Sequence, residues 1–454
     1  MPKQHGKEAE PIRPECIMCF GFLVLILIGA LLLSLPAATV TGESIGIGSG
    51  LFTATSAVCV TGLVAVDTGT TFSLFGQLVL LSLIQIGGLG FMAFATLVMV
   101  AFGKRITLRE RILLRESLNT TTLSGIVRLT IWYGLMALAI EGGGALLLAI
   151  RFVPEFGWTR GLYYSFWHAV SAFCNAGFDL FGGYASLTAF QQDPLVLLVI
   201  AGLIILGGTG FAVISEVLAA RMQWGRFSLH AKLALIMTGV LLAVGTLFFA
   251  LTEWTNPATL GAVKGTENKL LNAFFQSVTM RTAGFNSVDL AALTDGSKLL
   301  SALLMLVGAN PASTGGGMKT TTVAVLGLAV WTVIRGRDEV TVLGRRLPNG
   351  LVQRSLAVIV VTLTVFCTGM LVLTLAEKGS VPFVDLMFEA ASAIGTVGVS
   401  AAGTPRLTVT SRTVLIPMMF LGRVGPLTLA LALANRQGNG KSRLRFPEEN
   451  VTIG

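Results

Sequence analysis

Eight long stretches of the chain carry almost no charge, and this pattern restricts the fold more than any other feature. Each stretch is near the roughly 20 residues that an α-helix needs to cross a bilayer. Lipid offers no hydrogen-bond partners, so a backbone that crosses it must form helices or closed barrels, and runs of this length favour helices. The chain is therefore predicted to be an all-α integral membrane protein. The stretches are residues 16–40, 71–103, 129–150, 194–215, 233–252, 299–334, 355–376 and 413–435.

The overall composition agrees, with 53% hydrophobic and only 12% charged residues and a mean hydropathy of +0.79. The net charge of +9 is distributed unevenly, because its basic residues gather in alternate loops at 104–115, 221–232, 335–354 and 436–445. The intervening loops hold acids such as Glu43, Asp179 and Asp289. This positive-inside asymmetry predicts a multi-pass protein with both termini in the cytoplasm, and it argues against a nucleic-acid partner. Residues 1–15 show no cleavage site, so we expect no removable signal peptide.

One unit repeats four times at a spacing of about 110 residues, which identifies the architecture before any local assignment. Four glycines mark the repeat, and an aromatic residue stands ten positions before each of them: Gly62, Gly177, Gly284 and Gly398. Short apolar runs at 47–58, 162–173, 270–280 and 383–394 are about half a spanning length, so they are predicted to enter the membrane and stop. All four lie on the acidic, outer side.

Each unit therefore reads as a spanning helix, a pore helix, a filter strand and a second spanning helix. We expect four such pseudo-repeated units around a central pore, with eight spanning helices and four re-entrant half helices. The predicted divisions are an N-terminal tail (1–15), unit 1 (16–103), a cytoplasmic loop with unit 2 (104–220), unit 3 (221–335), unit 4 (336–437) and a C-terminal tail (438–454).

Extended backbone at membrane depth is tolerated only where it lines a water-filled path or is buried in protein. Rings of backbone carbonyls replace the hydration shell of an ion without placing a fixed charge in the path. Glycine turns its carbonyl through angles that a side chain forbids. The predicted filter residues, with potassium at their carbonyls, are Val60, Thr61, Gly62, Asn175, Ala176, Gly177, Thr282, Ala283, Gly284, Thr396, Val397 and Gly398.

Six strings make the pattern specific: VTGL at 60–63, NAGF at 175–178, RTAGF at 281–285, TVGV at 396–399, STGGGMKT at 313–320 and FLGRVGP at 420–426. Together they resemble the Trk/Ktr/HKT superfamily of potassium transporters over essentially the whole chain. No extra pair of helices precedes the first unit, so the chain most resembles the KtrB branch rather than TrkH. The resemblance implies potassium uptake at the bacterial plasma membrane, a homodimer, and a cytoplasmic ring of a KtrA-like subunit that binds the regulatory nucleotide.

An interruption of the third unit is the predicted gate. Proline removes a backbone donor and glycines disfavour helix, so a loop is expected at 308–319 where a helix would otherwise cross the bilayer centre. The rival interpretation is a kinked helix without a gating role. Arg423 lies in an apolar helix and needs acceptors, either in this loop or at Glu141. The gate residues are Asn310, Pro311, Ser313, Thr314, Gly315, Gly316, Gly317, Lys319 and Arg423.

Arg281 lies three positions before a filter glycine, where a side chain in the pore would repel potassium, so it is expected behind the filter, near Glu389 or Asp385. The glycine strings at 86–91 and 206–211 are interpreted as helix-packing positions. The acids Asp67, Asp179 and Asp289 are candidates for concentrating cations at the mouth.

Alternatives to the regulated potassium transporter remain: an unregulated monovalent cation channel, or a secondary carrier of another solute. The four filter strings differ, so we expect weaker exclusion of sodium than in a channel with identical loops, and transport is potentially sodium-dependent. No catalytic pairing and no nucleotide-hydrolysis motif is visible, so the chain is not expected to be an enzyme. The basic loops suit a protein partner or anionic membrane lipid equally well.

Overall fold

The computed structural model describes residues 14–104, 106–117, 124–337 and 339–425. The predicted C-terminal tail, the end of unit 4 from residue 426, and all but the last residues of the N-terminal tail lie outside these ranges. The first half of the chain forms α1 (Pro14–Leu33), α2 (Ile47–Val58), α3 (Thr68–Thr71), α4 (Leu74–Leu89), α5 (Phe91–Ala101), α6 (Leu108–Ser117), α7 (Ile126–Phe156), α8 (Trp158–Phe173), α9 (Pro194–Thr209) and α10 (Phe211–Ala219).

The second half forms α11 (Leu229–Glu253), α12 (Thr266–Thr279), α13 (Asp295–Leu306), α14 (Thr320–Ile334), α15 (Asn349–Glu377), α16 (Phe383–Gly395) and α17 (Val409–Val424). A small antiparallel hairpin, β1 (Thr341–Val342) and β2 (Arg345–Arg346), precedes α15. The fold is thus mostly helical, as the apolar runs predicted.

Within the described ranges, four helices are long and apolar enough to cross a membrane, and they are α1, α7, α11 and α15. Two further spans arise if the bent pairs α4–α5 and α9–α10 each count as one, which gives up to six by length and composition. Outward-facing apolar side chains cover these helices, for example Leu146 (72% exposed) and Leu251 (73% exposed), as expected for lipid contact.

The second and fourth apolar runs are not continuous helices, and that part of the prediction is wrong. α4 and α5 meet at 104°, and α9 and α10 meet at 95°. The breaks fall at Gly90 and Gly210, whose φ angles are 83° and 91°. Only glycine adopts this backbone conformation without a steric penalty, so hydropathy alone did not reveal the bend.

The predicted interruption of the sixth run is present. α13 ends at Leu306 and α14 begins at Thr320, with non-helical backbone between them. The eighth run begins as α17, which ends at Val424 before Gly425 with φ of 92°. The second helix is therefore broken by a left-handed glycine in units 1 and 2 and by a long loop in unit 3. In unit 4, α17 ends before a left-handed glycine.

Four short helices lie between the long ones and turn their buried C-terminal halves inward: α2, α8, α12 and α16. The first has the predicted bounds, 47–58, whereas α8 and α12 each begin four residues earlier than predicted. Each packs against both long helices of its own unit in units 1, 2 and 4. Their carbonyl ends carry the negative end of the helix dipole, which favours a cation.

Contacts between units follow one rule and form a closed circuit. The second helix of each unit packs on the short helix of the next: α4 on α8, α9 on α12, α13 on α16, and α17 back on α2. This order brings the chain segments that follow α2, α8, α12 and α16 to one place.

In units 3 and 4, a buried glutamate joins the end of the first long helix to the start of the second. Glu253 ends α11 and accepts hydrogen bonds from the backbone N–H of Thr294 at 3.0 Å and from its hydroxyl at 2.7 Å. Glu377 ends α15 and accepts from the N–H and hydroxyl of Thr408, both at 2.9 Å. Thr294 and Thr408 are the N-caps of α13 and α17. Each carboxylate thus satisfies donors at a helix start that lipid would leave unpaired.

We expect Glu377→Ala to lower the free energy of unfolding by about 2 kcal/mol, because charge-assisted hydrogen bonds are lost and buried donors lose their partner. The measurement is chemical unfolding of the purified protein in detergent. Glu155→Ala is the matched control, since Glu155 is exposed near the end of α7 and its removal is expected to cost less than about 0.5 kcal/mol. Equal effects of the two substitutions would contradict the capping role.

Candidate functional site

The chain after each short helix adopts the same unusual backbone path. The residue two before each marker glycine has positive φ: Val60 (55°), Asn175 (58°), Thr282 (70°) and Thr396 (51°). The glycines themselves follow at 92°, 68°, 84° and 94°. Positive φ is a genuine outlier for β-branched residues, which supply three of the four positions. Such strain persists only where the surrounding structure enforces it, and it concentrates at functional sites.

The four glycines lie at one centre, where backbones approach too closely for side chains. A Cβ atom built on Gly284 would lie 2.7 Å from Cα of Gly177 and 2.8 Å from the carbonyl oxygen of Val397. Both distances are shorter than real Cβ contacts. The same relation runs around the circuit, each glycine facing the carbonyl of the residue before the next marker glycine: Gly62 to Ala176, Gly177 to Ala283, Gly284 to Val397, and Gly398 to Thr61.

Hydroxyl groups of the short helices hold the loops in place. Ser56 accepts a hydrogen bond from the N–H of Gly62, and Ser392 accepts one from the N–H of Gly398, each at 3.0 Å. Ser171 instead donates to the carbonyl of Phe178 at 2.7 Å. Unit 3 has Val278 at the equivalent position, and the hydroxyl of the neighbouring Thr279 instead donates to the carbonyl of Phe285 at 2.5 Å. The four loops are therefore similar in path, but the hydroxyl that holds each of them is not the same in every unit.

The inner side of this centre is covered by the segment 307–319. A Cβ on Gly315 would contact the hydroxyl of Thr282 and lie 3.2 Å from the side-chain nitrogen of Asn175. A Cβ on Gly316 would contact the hydroxyl of Thr396. The glycines thus let the segment pack directly beneath three of the four loops, and no larger residue fits there.

Main-chain hydrogen bonds fix the segment to two other units. The N–H of Asn310 donates to the carbonyl of Gly208 at 3.1 Å, and the N–H of Thr314 donates to that of Gly207 at 3.2 Å. The N–H of Gly317 donates to the carbonyl of Gly422 at 3.2 Å. The glycine strings therefore serve both helix packing, as predicted, and the anchoring of this segment.

Two cationic side chains donate hydrogen bonds to backbone carbonyls of the segment 307–319 and of the C-terminal end of α4. Arg423 donates from Nη1 to the carbonyl of Thr314 and from Nη2 to those of Gly87 and Gly88. Lys319 donates from Nζ to the carbonyl of Gly315 at 2.8 Å. Glu141, the alternative partner of Arg423, accepts from Nε2 of Gln85 at 3.0 Å. The arginine thus joins the segment to the bend of α4.

The position of Arg423 has a sequence signal that the repeat comparison missed. Residues 421–425 (LGRVG) align with 86–90 (IGGLG) and 206–210 (LGGTG), because all three end at a left-handed glycine. Arg423 then stands where units 1 and 2 have Gly88 and Gly208. Aligning the units beyond the filter residues would have shown that Arg423 replaces a glycine that units 1 and 2 share.

The prediction for Arg281 is wrong in its partners. Asp385 forms an ion pair with Lys298 at 2.6 Å, and Glu389 accepts hydrogen bonds from Ser400 and Thr404. Arg281 is buried, and among the described residues its Nε has no hydrogen-bond partner. The prediction assumed that Arg281 reaches the acids of the adjoining pore helix, but the packing of α13 on α16 gives Asp385 to Lys298 instead.

On the outer side, the acids after the first two loops lie near each other. Asp67 accepts from the N–H of Tyr184 at 3.0 Å, which joins the outer loops of units 1 and 2. Asp179 accepts from the N–H of Phe181 at 3.1 Å. Burial and the nearby Asp67 carboxylate raise the pKa of Asp179 to about 7. Asp289 is exposed.

Comparison with known proteins places this geometry in a family. The family profile for TrkH, described as a cation transport protein, matches residues 21–443. The chain is 42% identical to Ktr system potassium uptake protein B of Bacillus subtilis, over 97% of each chain. It is 43% identical to the protein of that name from Vibrio alginolyticus, over 96% of this chain and 94% of the relative.

A third relative is the potassium/sodium uptake protein NtpJ of Enterococcus hirae, 39% identical over 100% of this chain and 99% of its own. The fold is similar to the crystal structure of the potassium transporter TrkH from Vibrio parahaemolyticus, with a TM-score of 0.71 and 18% identity, covering 95% of this chain and 86% of that one. The resemblance inferred from the motifs is confirmed. The chain therefore belongs to the TrkH/Ktr family of cation transport proteins, a family of ion transporters rather than enzymes.

Proposed function

We propose that the protein takes up potassium across the bacterial plasma membrane as the ion-translocating subunit of a Ktr-type system. The observation that carries the proposal is the circuit in which each of four glycines faces a carbonyl of the next loop. The names of the relatives, potassium uptake proteins of Ktr systems, agree with it. In this proposal the chain is arranged as four helix–pore-helix–filter–helix units around one pore, which the contacts between successive units support.

The filter is built from main-chain oxygens. A dehydrated ion on the axis is coordinated by carbonyls of the four loops, among them those of Thr61, Ala176, Ala283 and Val397. Left-handed residues before and at each glycine turn successive carbonyls to the same side. The negative ends of α2, α8, α12 and α16 point at the ion and stabilise it without a fixed charge.

Selectivity is weaker than in a channel with four identical loops. The residues at the inner, left-handed position are Val60, Asn175, Thr282 and Thr396, so their side chains present unequal groups to an ion. The side-chain amide of Asn175 and the hydroxyl of Thr282 are hydrogen-bonded to each other at 3.2 Å, so these two side chains are already paired. The potassium/sodium name of one relative is in keeping with partial sodium passage or coupling.

The segment 308–319 is the gate of this pore. It lies beneath the loops of units 2, 3 and 4 and closes the inner side of the path. Arg423 holds it shut by binding the carbonyl of Thr314, and Lys319 stabilises its closed shape by binding the carbonyl of Gly315 within the segment. Opening requires the segment to leave Arg423, so the strength of that hydrogen bond sets the flux through the closed state.

The system works as a homodimer with a cytoplasmic, nucleotide-binding KtrA-like ring. The word "system" in the names of the relatives implies further components. The exposed hairpin at Thr341–Val342 and Arg345–Arg346 and the basic loops face the cytoplasm and suit contact with this ring or with anionic lipid. Copurification of the tagged protein with its regulatory subunit, followed by mass measurement of the complex, tests both assemblies. A monomer that conducts ions alone would instead support the unregulated channel.

The filter is tested by Gly284→Ser, expected to lower uptake at least about tenfold. The added Cβ would meet Gly177 and Val397, at a φ of 84° that itself costs about 1–3 kcal/mol for a residue with a side chain. The measurement is growth rescue of cells without potassium transporters, together with rubidium uptake. Gly265→Ser is the matched control, because Gly265 has the same φ of 84° at the start of α12 and no close neighbour. Equal loss in both variants would reject the filter role, and uptake of organic solutes instead of rubidium would favour a carrier.

The gate is tested by Arg423→Gln, expected to raise rubidium flux through the protein without its regulatory partner by about tenfold. Two or more hydrogen bonds from a charged donor are lost, each worth about 1.5–3 kcal/mol. Arg412→Gln, on the outer part of α17, is the control and is expected to leave this flux unchanged. A flux that stays at the wild-type level in Arg423→Gln, with the thermal unfolding temperature unchanged, would contradict the latch.

Uptake is expected to fall as the external pH drops through about 7. Protonation of Asp179 removes a negative charge from the mouth below its raised pKa, and the charge is present above it. Asp179→Asn should show uptake at pH 8 like that of the wild type at pH 6, with the pH dependence lost. Asp289→Asn is the control and should keep the wild-type profile. A full pH dependence in Asp179→Asn would exclude this group as its source.

A further inference from the structure

Arg281 breaks the symmetry of the four loops. The position three residues before the marker glycine holds Cys59 in unit 1, Cys174 in unit 2, Arg281 in unit 3 and Gly395 in unit 4. In three units the position is formally uncharged as a neutral thiol or glycine, and in unit 3 it carries a guanidinium. This residue follows α12 directly, where the negative end of that helix points toward the loops.

No carboxylate in the described part of the chain neutralises this cation by contact. The ion pairs found there join other cations to their acids. The buried glutamates accept hydrogen bonds from other groups: Glu141 from Gln85, Glu253 from Thr294, Glu377 from Thr408, and Glu389 from Ser400 and Thr404. Arg281 is only 8% exposed, so bulk water does not screen its charge either.

A small cavity explains how the buried guanidinium is tolerated. Arg281 lines it together with Gly208, Thr238 and Ala309, and the remaining walls are apolar. The cavity leaves a volume of about 10 Å³ for water, which is room for roughly one molecule. A water molecule in this space would hydrate the cation but would not cancel its charge.

The cavity lies directly behind the loops. A Cβ on Gly208 would lie 3.3 Å from the side-chain nitrogen of Asn175 and 3.8 Å from Ala309. Arg281 and Gly284 are three residues apart, so their Cα atoms are at most roughly 11 Å from each other. For charges about 11 Å apart and an effective dielectric constant near 20, one unit charge alters the binding of another by on the order of tenfold.

We propose that Arg281 is an affinity-determining residue that lowers the occupancy of the filter by its own cation. Its charge opposes the negative end of α12 and weakens the hold of the third loop on the ion. An ion bound less tightly leaves faster, so the residue keeps the filter from trapping potassium. This inference rests on the proposed potassium transport and concerns how strongly, rather than whether, the filter binds.

The test compares Arg281→Gln with Arg281→Lys in reconstituted vesicles. The half-saturating rubidium concentration is expected to fall about tenfold in Arg281→Gln, and to stay within about twofold of the wild type in Arg281→Lys, which keeps the charge. Sodium is expected to compete more strongly in Arg281→Gln by a similar factor, because a distant charge acts on both ions. The tighter binding is diagnostic, since damage to packing weakens binding instead.

Arg281→Cys, the residue that units 1 and 2 carry at this position, is a second neutral variant in case Arg281→Gln does not fold. Arg151→Gln is the control, because Arg151 pairs with Asp193 at the outer surface. An unchanged or raised half-saturating concentration in the folded neutral variants overturns the proposal and leaves potassium transport standing. The proposal is also overturned if the half-saturating concentration falls as much in Arg281→Lys as in Arg281→Gln. A wild-type protein that takes up no rubidium overturns both.

Discussion

The close approach of four backbones at one centre is the constraint on which the rest of the structure depends. Extended chain inside a membrane must have all its polar groups either paired in protein or exposed to a water-filled path. The four loops are buried in protein at this centre, where each glycine lies against a carbonyl of the next loop and no side chain intervenes. Each loop therefore restricts the position of its neighbour.

The packing of helices follows from this centre. Each short helix lies against the second long helix of the preceding unit, so that α4, α9, α13 and α17 form the walls between neighbours. These walls contain the small residues that permit contact with the loops, as at Gly87 beside the carbonyl of Val58 and Gly207 beside that of Phe173. A bend at a left-handed glycine then turns α5 by 104° from α4 and α10 by 95° from α9.

Function enters where the repeats stop being equal. Unit 3 replaces the glycine bend by the segment 307–319, and unit 4 places Arg423 where two other units have glycine. These two departures meet, since the arginine binds the carbonyl of Thr314. Arg281 is a third departure, in a loop that is held by Thr279 rather than by a serine. Four units with a common backbone path thus differ at the residues that surround the shared centre.

The sequence by itself determined the helical membrane class, the fourfold repeat, the short helices and the identity of the close-packed glycines. These properties depend on local hydropathy and on residues that one unit shares with the next. Tertiary structure alone decided the bends at Gly90 and Gly210, the capping by Glu253 and Glu377, and the partners of Asp385 and Glu389. A charged side chain reaches several neighbours, and which one it meets depends on contacts between helices distant in the chain. Hydropathy records how apolar a run is, but not the φ of one glycine within it.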